Sequence, residues 1–325
     1  MEFLSLSSLD PAVNLALEER LFTTLPPRHP GLFLLWQNGP SVIVGRHQCT
    51  AEEINAEFVR RENLPVVRRN TGGGAVYHDT GNLNFSFLEN TRRPGGMDFR
   101  RLLAPVCLAL ADVGVRAEIS GRNDLEVQGR KISGNAQLLR DGKMLHHGTL
   151  LVNLDLSRMV EALKPAPEKI RSKGVASVRA RVANITEFWK PGTTVEALKH
   201  ALLRRCAERR AELGRETLAV AQDLAETKYR QWDWNYGASP AFTEKKRERF
   251  PWGSVDMRLD VRDGVIRSCR FYGDFFAATP IGELQSLLTG QKRESGDLAR
   301  ALDGVNMENF FSGCDAAVMR RFLTE

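Results

Sequence analysis

Three short stretches of this 325-residue chain carry side chains whose types and spacing can do chemistry. The first is Arg68-Arg69-Asn70-Thr71-Gly72-Gly73-Gly74-Ala75-Val76-Tyr77-His78-Asp79-Thr80-Gly81-Asn82. Three consecutive glycines strip every Cβ from a turn, so backbone N–H groups can close on an anion. The two arginines upstream can supply bidentate charge to a phosphate or carboxylate. A glycine run alone is more often a plain hairpin turn; Arg-Arg before it and Tyr-His-Asp after it favour an anion-binding loop. It is not a Walker loop, because no Gly-Lys-Ser/Thr follows, and it does not open a helix in the dinucleotide-binding manner.

The second is Lys131, in a segment otherwise apolar or small, with Gly129 and Gly134 leaving room for a ligand. Strand alternation places Lys131, Ser133 and Asn135 on one face and Ile132 on the other. Such a lysine is either a salt-bridged surface group or a fixed positive charge aimed into a site. The third is Asn123-Asp124, whose oxygens suit Mg²⁺ when substrate phosphates complete the shell, or which form no more than a turn. His78-Asp79 is no catalytic pair, since neighbours on a strand point to opposite faces, and there is no Gly-x-Ser-x-Gly elbow. His146-His147 lacks further ligand-type neighbours, so no zinc site is expected.

These residues need strands to hold them. Leu64 to Val67 and Leu83 to Leu88 read as strands flanking the glycine turn, and Leu32–Trp36 and Ser41–Val44 as two more, the latter leading into Gly45-Arg46-His47-Gln48. Residues 129–139 pair with 144–152 across Arg140-Asp141-Gly142-Lys143, a hairpin signature. Helices are expected over 11–22, with Ser8 or Asp10 as cap and Glu18, Glu19 and Arg20 facing outward, and over 51–61, 99–113, 156–163 and 195–213. The polar stretch 164–186, which contains 173–184, reads as either a disordered segment or a functional lid. From Leu218 the chain looks irregular and aromatic, and a junction is expected near 238–250. Beyond it lie a hairpin turning at Arg262-Asp263-Gly264 and two or three short helices.

Composition sets the outer limits. At 42% hydrophobic and 26% charged residues the chain is an ordinary globular sequence. Its net charge of +6 is spread along the chain, as in the mixed run 244–249, and no nucleic-acid module accompanies it. Five scattered cysteines without a CxxC imply free thiols in a reducing compartment. No leader and no stretch of roughly 20 uncharged apolar residues is visible. A cytoplasmic protein is expected, with no membrane or nucleic-acid partner.

Taken in order, the glycine loop, Gly121-Arg122-Asn123-Asp124-Leu125, Lys131-Ile132-Ser133-Gly134-Asn135-Ala136, His146-His147-Gly148-Thr149-Leu150-Leu151, Lys173-Gly174-Val175 through Arg181-Val182, and Trp232-x-Trp234-Asn235-Tyr236-Gly237 closely resemble the lipoate–protein ligase A family over nearly the whole length. The resemblance implies an α/β (α+β) fold: a biotin/lipoate ligase-like catalytic domain of mixed β-sheets with flanking helices over 1–243, then a small α/β accessory domain over 244–325. It implies a monomer that joins lipoate and ATP into lipoyl-AMP with Mg²⁺ assisting, then passes the lipoyl group to a lysine of an apo lipoyl domain. The family's acceptors are 2-oxoacid dehydrogenase acyltransferase subunits and the glycine-cleavage H-type carrier. Lys131 is the implied catalytic residue, bridging both substrates. Arg69, Thr71, Gly73, Gly74, Ala75, Val76, Tyr77 and Asn82 are implied on the nucleotide, joined by Ala136, Lys173, Val178 and Arg181. Arg46, His78, Ser133, Gly134, His147 and Gly148 are implied around lipoate, and Asp124 on the metal. The competing readings are a transferase of the same fold that moves lipoyl or octanoyl groups from a pre-activated donor, and a non-catalytic binding protein. A thioester-forming transferase needs a site-adjacent thiol, and residues 120–205 contain no cysteine.

Overall fold

The computed structural model describes residues 1–91, 98–121, 123–163, 181–236 and 242–325. Among the described residues, fourteen strands form three sheets. The largest contains β1 (Glu2–Ser5), β2 (Leu32–Trp36), β6 (Asn82–Asn90), β7 (Glu118–Ser120), β8 (Asp124–Val127), β9 (Arg130–Arg140), β10 (Lys143–Leu151) and β11 (Arg209–Arg210), in the order β11-β1-β2-β6-β10-β9-β8-β7. A second sheet joins β3 (Ser41–Val44), β4 (Val66–Arg68) and β5 (Val76–His78). A third joins β12 (Glu244–Phe250), β13 (Gly253–Arg262) and β14 (Val265–Gly273).

Local chemistry explains the main elements. Helix α1 (Pro11–Thr24) starts at Asp10, whose carboxylate accepts from the Ala12 and Val13 amides at 2.9 and 3.3 Å, with Pro11 at the first helical position. The β9–β10 and β13–β14 hairpins turn on Asp141-Gly142 and Asp263-Gly264. Their φ values of 53° and 69°, and of 54° and 71°, suit the twist of paired strands. One face of the large sheet packs Phe33, Phe85 and Phe87 against α4 (Phe99–Asp112) and the helix Val195–Cys206. The other packs Leu34, Leu88 and Leu145 beneath α1.

The chain departs from expectation at five places. The glycine loop is not a hairpin: β4 and β5 flank β3, parallel and antiparallel respectively, so the loop crosses the end of β3. Residues 51–61 form two short helices, α2 (Thr50–Glu53) and α3 (Ala56–Arg61), the second capped by Asn55. The helix from Val195 stops at Cys206, and β11 follows. The region after Leu218 is ordered, as a helix over Arg215–Leu224 continued by a π turn at Ala225–Tyr229. Glu18 faces inward, 3% exposed, because it sits one turn after buried Asn14 on the inner side of α1.

α5 (Leu156–Ala162) leads into residues 164–180, so Lys173, Val178 and most of the expected lid lie outside the described residues. Among the described residues no helix is long and apolar enough to cross a membrane.

His146 shows how the core constrains ionisation. It lies among Phe85, Phe87 and Phe99, with ring centroids 5.7–5.9 Å away. Burial, reinforced by His147 and Arg101, pushes its pKa from 6.5 to about 3. His78 is pushed to about 3 in the same way, by burial first and then by Arg69 and His147. Both stay neutral in the fold, while the unfolded chain takes up their protons below 6.5. Stability is therefore complete above that pH and is lost as the pH falls toward 3. Replacing His146→Phe should make the fall of melting temperature with acid shallower by up to one proton's worth of slope. An unchanged slope would contradict the assignment.

Candidate active site

The lysine is aimed by a defect in its strand. Along β8–β9, Asp124 pairs with Gly134 and Leu125 with Ser133, but Glu126 pairs with Lys131, so Ile132 is an extra residue. This bulge breaks the alternation. Lys131 shares a face with Asp124 and Gly134, while Ile132 packs in the opposite core with Leu125. The expected grouping is corrected for Ser133, which is absent from the cavity wall and whose hydroxyl accepts from Asn135 Nδ2 at 3.1 Å, whereas Asn135 lines the same cavity as Lys131. Lys131 Nζ lies 2.8 Å from Asp124 Oδ1, each side chain about one-third exposed. A Cβ on Gly134 would sit 2.9 Å from that amine, so glycine leaves the space the lysine uses. The Lys131 backbone is tied to the far end of the 173–184 stretch: its N–H donates to the Arg181 carbonyl at 2.8 Å and its carbonyl accepts from Ala183 at 2.9 Å.

Lys131 stands at one side of a cavity of about 400 Å³. Its walls include Arg69, Gly73, Gly74, Ala75, Val76, His78, Asp124, Gly134, Ala136, His147 and Gly148, all expected from sequence. Leu15, Trp36, Ile43, Asn84, Asn123, Asn135 and Thr149 complete the inner wall. The register explains the company. Trp36 pairs with Asn84 and Asn84 with Thr149, and one row over Ser86 pairs with His147 and His147 with Ala136, so all share one face of the large sheet.

The two arginines hold the loop rather than reach out from it. Arg69 is buried and donates to the carbonyls of Gly72 and Gly74 at 2.6 and 2.9 Å, to Ile43 O at 3.3 Å and to the Thr71 hydroxyl at 3.0 Å. Burial lowers its pKa to about 10, partly offset by Glu18, so it remains charged at neutral pH. Gly73 adopts φ +89° to close this coil. Arg68 ties the loop to the aromatic motif downstream, donating to Gly45 O, Gln48 O, Trp234 O and Asn235 O at 2.7–2.9 Å. The Trp234 indole returns a hydrogen bond to Arg68 O at 2.8 Å.

A second network backs the cavity. Glu18 accepts from Ser86 at 2.6 Å and meets His147 Nδ1 at 3.0 Å; His147 Nε2 meets the Thr71 hydroxyl at 2.8 Å, and Thr71 meets Arg69. Thr71 is therefore occupied inside the fold. Arg46 stacks over Trp234 at 4.2 Å and Asn82 donates to Asn84 Oδ1 at 2.9 Å; neither lines the cavity. The Tyr77 hydroxyl meets Arg158 Nε at 3.2 Å on the other side of the small sheet. Glu18 and Asn84 escaped the sequence reading, although the four-residue spacing of Asn14 and Glu18 marks a polar seam on the inner side of α1.

The third sheet closes the remaining wall with Arg249, Pro251, Trp252, Gly253 and Asp274. Phe275 stacks on His47 at 4.7 Å, Phe276 lies 5.7 Å from Phe99, and Gly273 N–H donates to His47 O at 2.7 Å. None of the five cysteines lines the cavity. Among the described residues no cluster of three or more His, Cys, Asp or Glu could hold a metal by itself.

Residues 10–207 match the family model of the lipoyl protein ligase A/B catalytic domain, and residues 239–323 that of the bacterial lipoate protein ligase C-terminus. The chain is 42% identical over 309 residues to lipoate-protein ligase LplJ of Bacillus subtilis, covering 93% of each chain. It is 39% identical to lipoate–protein ligase 1 of Staphylococcus aureus across 100% of both. Among solved structures it superposes on P. falciparum LipL1 in complex with lipoate with a TM-score of 0.80, at 25% identity and 94% coverage of both chains. It superposes on a lipoate-protein ligase A bound with ATP with a TM-score of 0.62, at 27% identity, covering 73% of this chain and 98% of that one. The chain belongs to the lipoate–protein ligase family.

Gly72 tests how tightly loop and third sheet fit. A Cβ there would lie 2.3 Å from the Phe275 carbonyl oxygen, a backbone atom with little freedom to retreat. Gly72→Ala is expected to cost about 1–3 kcal/mol, seen as a lower melting temperature and faster proteolysis. A variant as stable and as protease-resistant as the parent would refute this packing.

Proposed function

We propose that this cavity performs two half-reactions of one ATP-dependent lipoate–protein ligase. In the first, a lipoate carboxylate oxygen attacks the α-phosphorus of ATP, the α–β phosphoanhydride bond breaks, and pyrophosphate leaves with that electron pair. In the second, the neutral ε-amine of an acceptor lysine attacks the acyl carbon of lipoyl-AMP. The acyl–phosphate bond breaks, AMP leaves, and the amine proton passes to solvent. The observation that carries the reading is Lys131 Nζ, poised at the cavity wall between the glycine loop and Asp124.

Bringing two anions together needs a fixed positive charge where charge develops. Lys131 supplies it to the carboxylate and α-phosphate at once, and Arg69 adds its field from inside the loop. The backbone of Gly73, Gly74, Ala75 and Val76 runs along the nucleotide, near Ala136. His78, Gly134, His147 and Gly148 enclose the lipoyl chain. Thr71, Asn82 and Ser133 act from behind the wall, and Tyr77 through its backbone. Asp124, beside Asn123, suits Mg²⁺, which takes one or two carboxylates and completes its shell with phosphate oxygens and water. Bound there, Mg²⁺ would neutralise charge on the departing pyrophosphate. Arg181, whose carbonyl accepts from the Lys131 amide at 2.8 Å, stands beside the adenylate.

The acceptors this reading calls for are apo lipoyl domains, of 2-oxoacid dehydrogenases or of the H-type carrier. A related archaeal bipartite ligase is described together with its E2 lipoyl domain. The catalytic unit extends over 1–243 and the accessory unit over 244–325, a division supported by β12 beginning at Glu244 and pairing only with β13. Free thiols accord with a cytoplasmic enzyme.

The test is incubation with lipoate, Mg-ATP and an apo lipoyl domain. Pyrophosphate release and lipoylation without any acyl donor are expected. Lys131→Ala should lower adenylate formation by on the order of 10²–10³ with little change in melting temperature. Transfer only from an octanoyl carrier, abolished by one Cys→Ser change, would overturn the ligase reading.

A further inference from the structure

The inner wall of the cavity contains two buried N–H groups with no partner. His78 is 3% exposed and Asn84 2% exposed, and neither His78 Nε2 nor Asn84 Nδ2 meets an acceptor. The donor character of His78 is fixed by a chain of bonds. The two hydrogens of Asn14 Nδ2 are shared among three oxygens at 2.9 Å, those of Ser8, Gln37 and the Asn38 side chain, and a second amide nitrogen in the Asn38 place would meet Asn14 with no acceptor. Asn38 Nδ2 then donates to His78 Nδ1 at 3.0 Å, leaving the imidazole proton on Nε2. Asn84 Oδ1 is taken by Asn82 Nδ2, leaving the Asn84 amide hydrogens free.

Buried unpaired donors are unfavourable unless a ligand or an ordered water supplies an acceptor. Their position says which part of a ligand that is. Asn84 lies on β6, two strand spacings, or ~10 Å, from the Lys131 strand β9. An extended acyl chain whose carboxylate meets Lys131 brings its tail to this wall. Octanoate and lipoate share a chain length and differ there, one ending in hydrocarbon and the other in a dithiolane whose sulfurs accept hydrogen bonds weakly.

We infer that His78 and Asn84 are specificity-determining residues that recognise sulfur at the tail of the acyl substrate and so favour lipoate over octanoate. This rests on the reading above, in which Lys131 holds the carboxylate. The test compares binding of lipoate with that of its cyclopentyl analogue, in which methylenes replace both sulfurs and shape is kept, by calorimetry on the full-length protein. Lipoate should bind about tenfold tighter, ~1.4 kcal/mol, and Asn84→Leu and His78→Phe should each narrow the gap several-fold. Equal binding by the parent protein overturns the inference whether or not the variants fold, and so does an undiminished gap in both folded variants. If lipoate drives pyrophosphate release yet the two acids bind alike, the inference falls and the ligase reading stands. If neither acid binds nor drives release, the ligase reading falls and the inference with it.

Discussion

The register shift at Ile132 is the constraint on which the site depends. Side chains alternate along a strand, so a regular β9 would put Lys131 and Gly134 on opposite faces. One extra residue lets both face the cavity, with Asp124 opposite Gly134 on β8. The bulge also satisfies the core, since Ile132 packs beside Leu125 while the lysine stays about one-third exposed. Bulges re-aim side chains beside functional sites, and here the lysine amine comes to rest where Gly134 carries no Cβ.

A second dependency runs through the arginines. Charged guanidinium groups are costly to bury unless each N–H finds an acceptor. Arg68 meets that need with carbonyls from 45–48 and 234–235, which locks the distant aromatic motif against the start of the glycine loop. Arg69 meets it with carbonyls of the loop it enters. The loop's shape is therefore set by a cation inside it, and the glycines allow the close approach.

Much of this was legible in the sequence. Alternating apolar runs and Asp-Gly turns marked the hairpins, and ordered motifs marked the cavity lining. The rest was hidden for physical reasons. A bulge has no signature in an alternating pattern until its partner strand is known, so Ser133 was placed with Lys131. An arginine pair reads the same whether its acceptors are substrate oxygens or carbonyls 3 to 167 residues away. Glu18 was set outward because a carboxylate is normally solvated, and only the fold shows Ser86 and His147 waiting for it. Nothing local announced that Arg249 and Trp252 would close the wall from a separate sheet.

Glu18 also bears on the charge that Arg69 presents at the cavity wall. A carboxylate in direct contact with Arg69 would cancel its field, and no carboxylate at all would leave the guanidinium uncompensated. The structure takes an intermediate course: Glu18 is linked to Arg69 through His147 and Thr71, three hydrogen bonds in series. Coulomb energy falls with separation, so the distant carboxylate offsets part of the burial cost without neutralising the loop. Asp124 plays the opposite part at Lys131, in direct contact and one-third exposed. Exposed pairs of this kind are worth little in water, so the amine can exchange Asp124 for another anion in the cavity. The buried cation shapes the loop, and the exposed one faces the cavity.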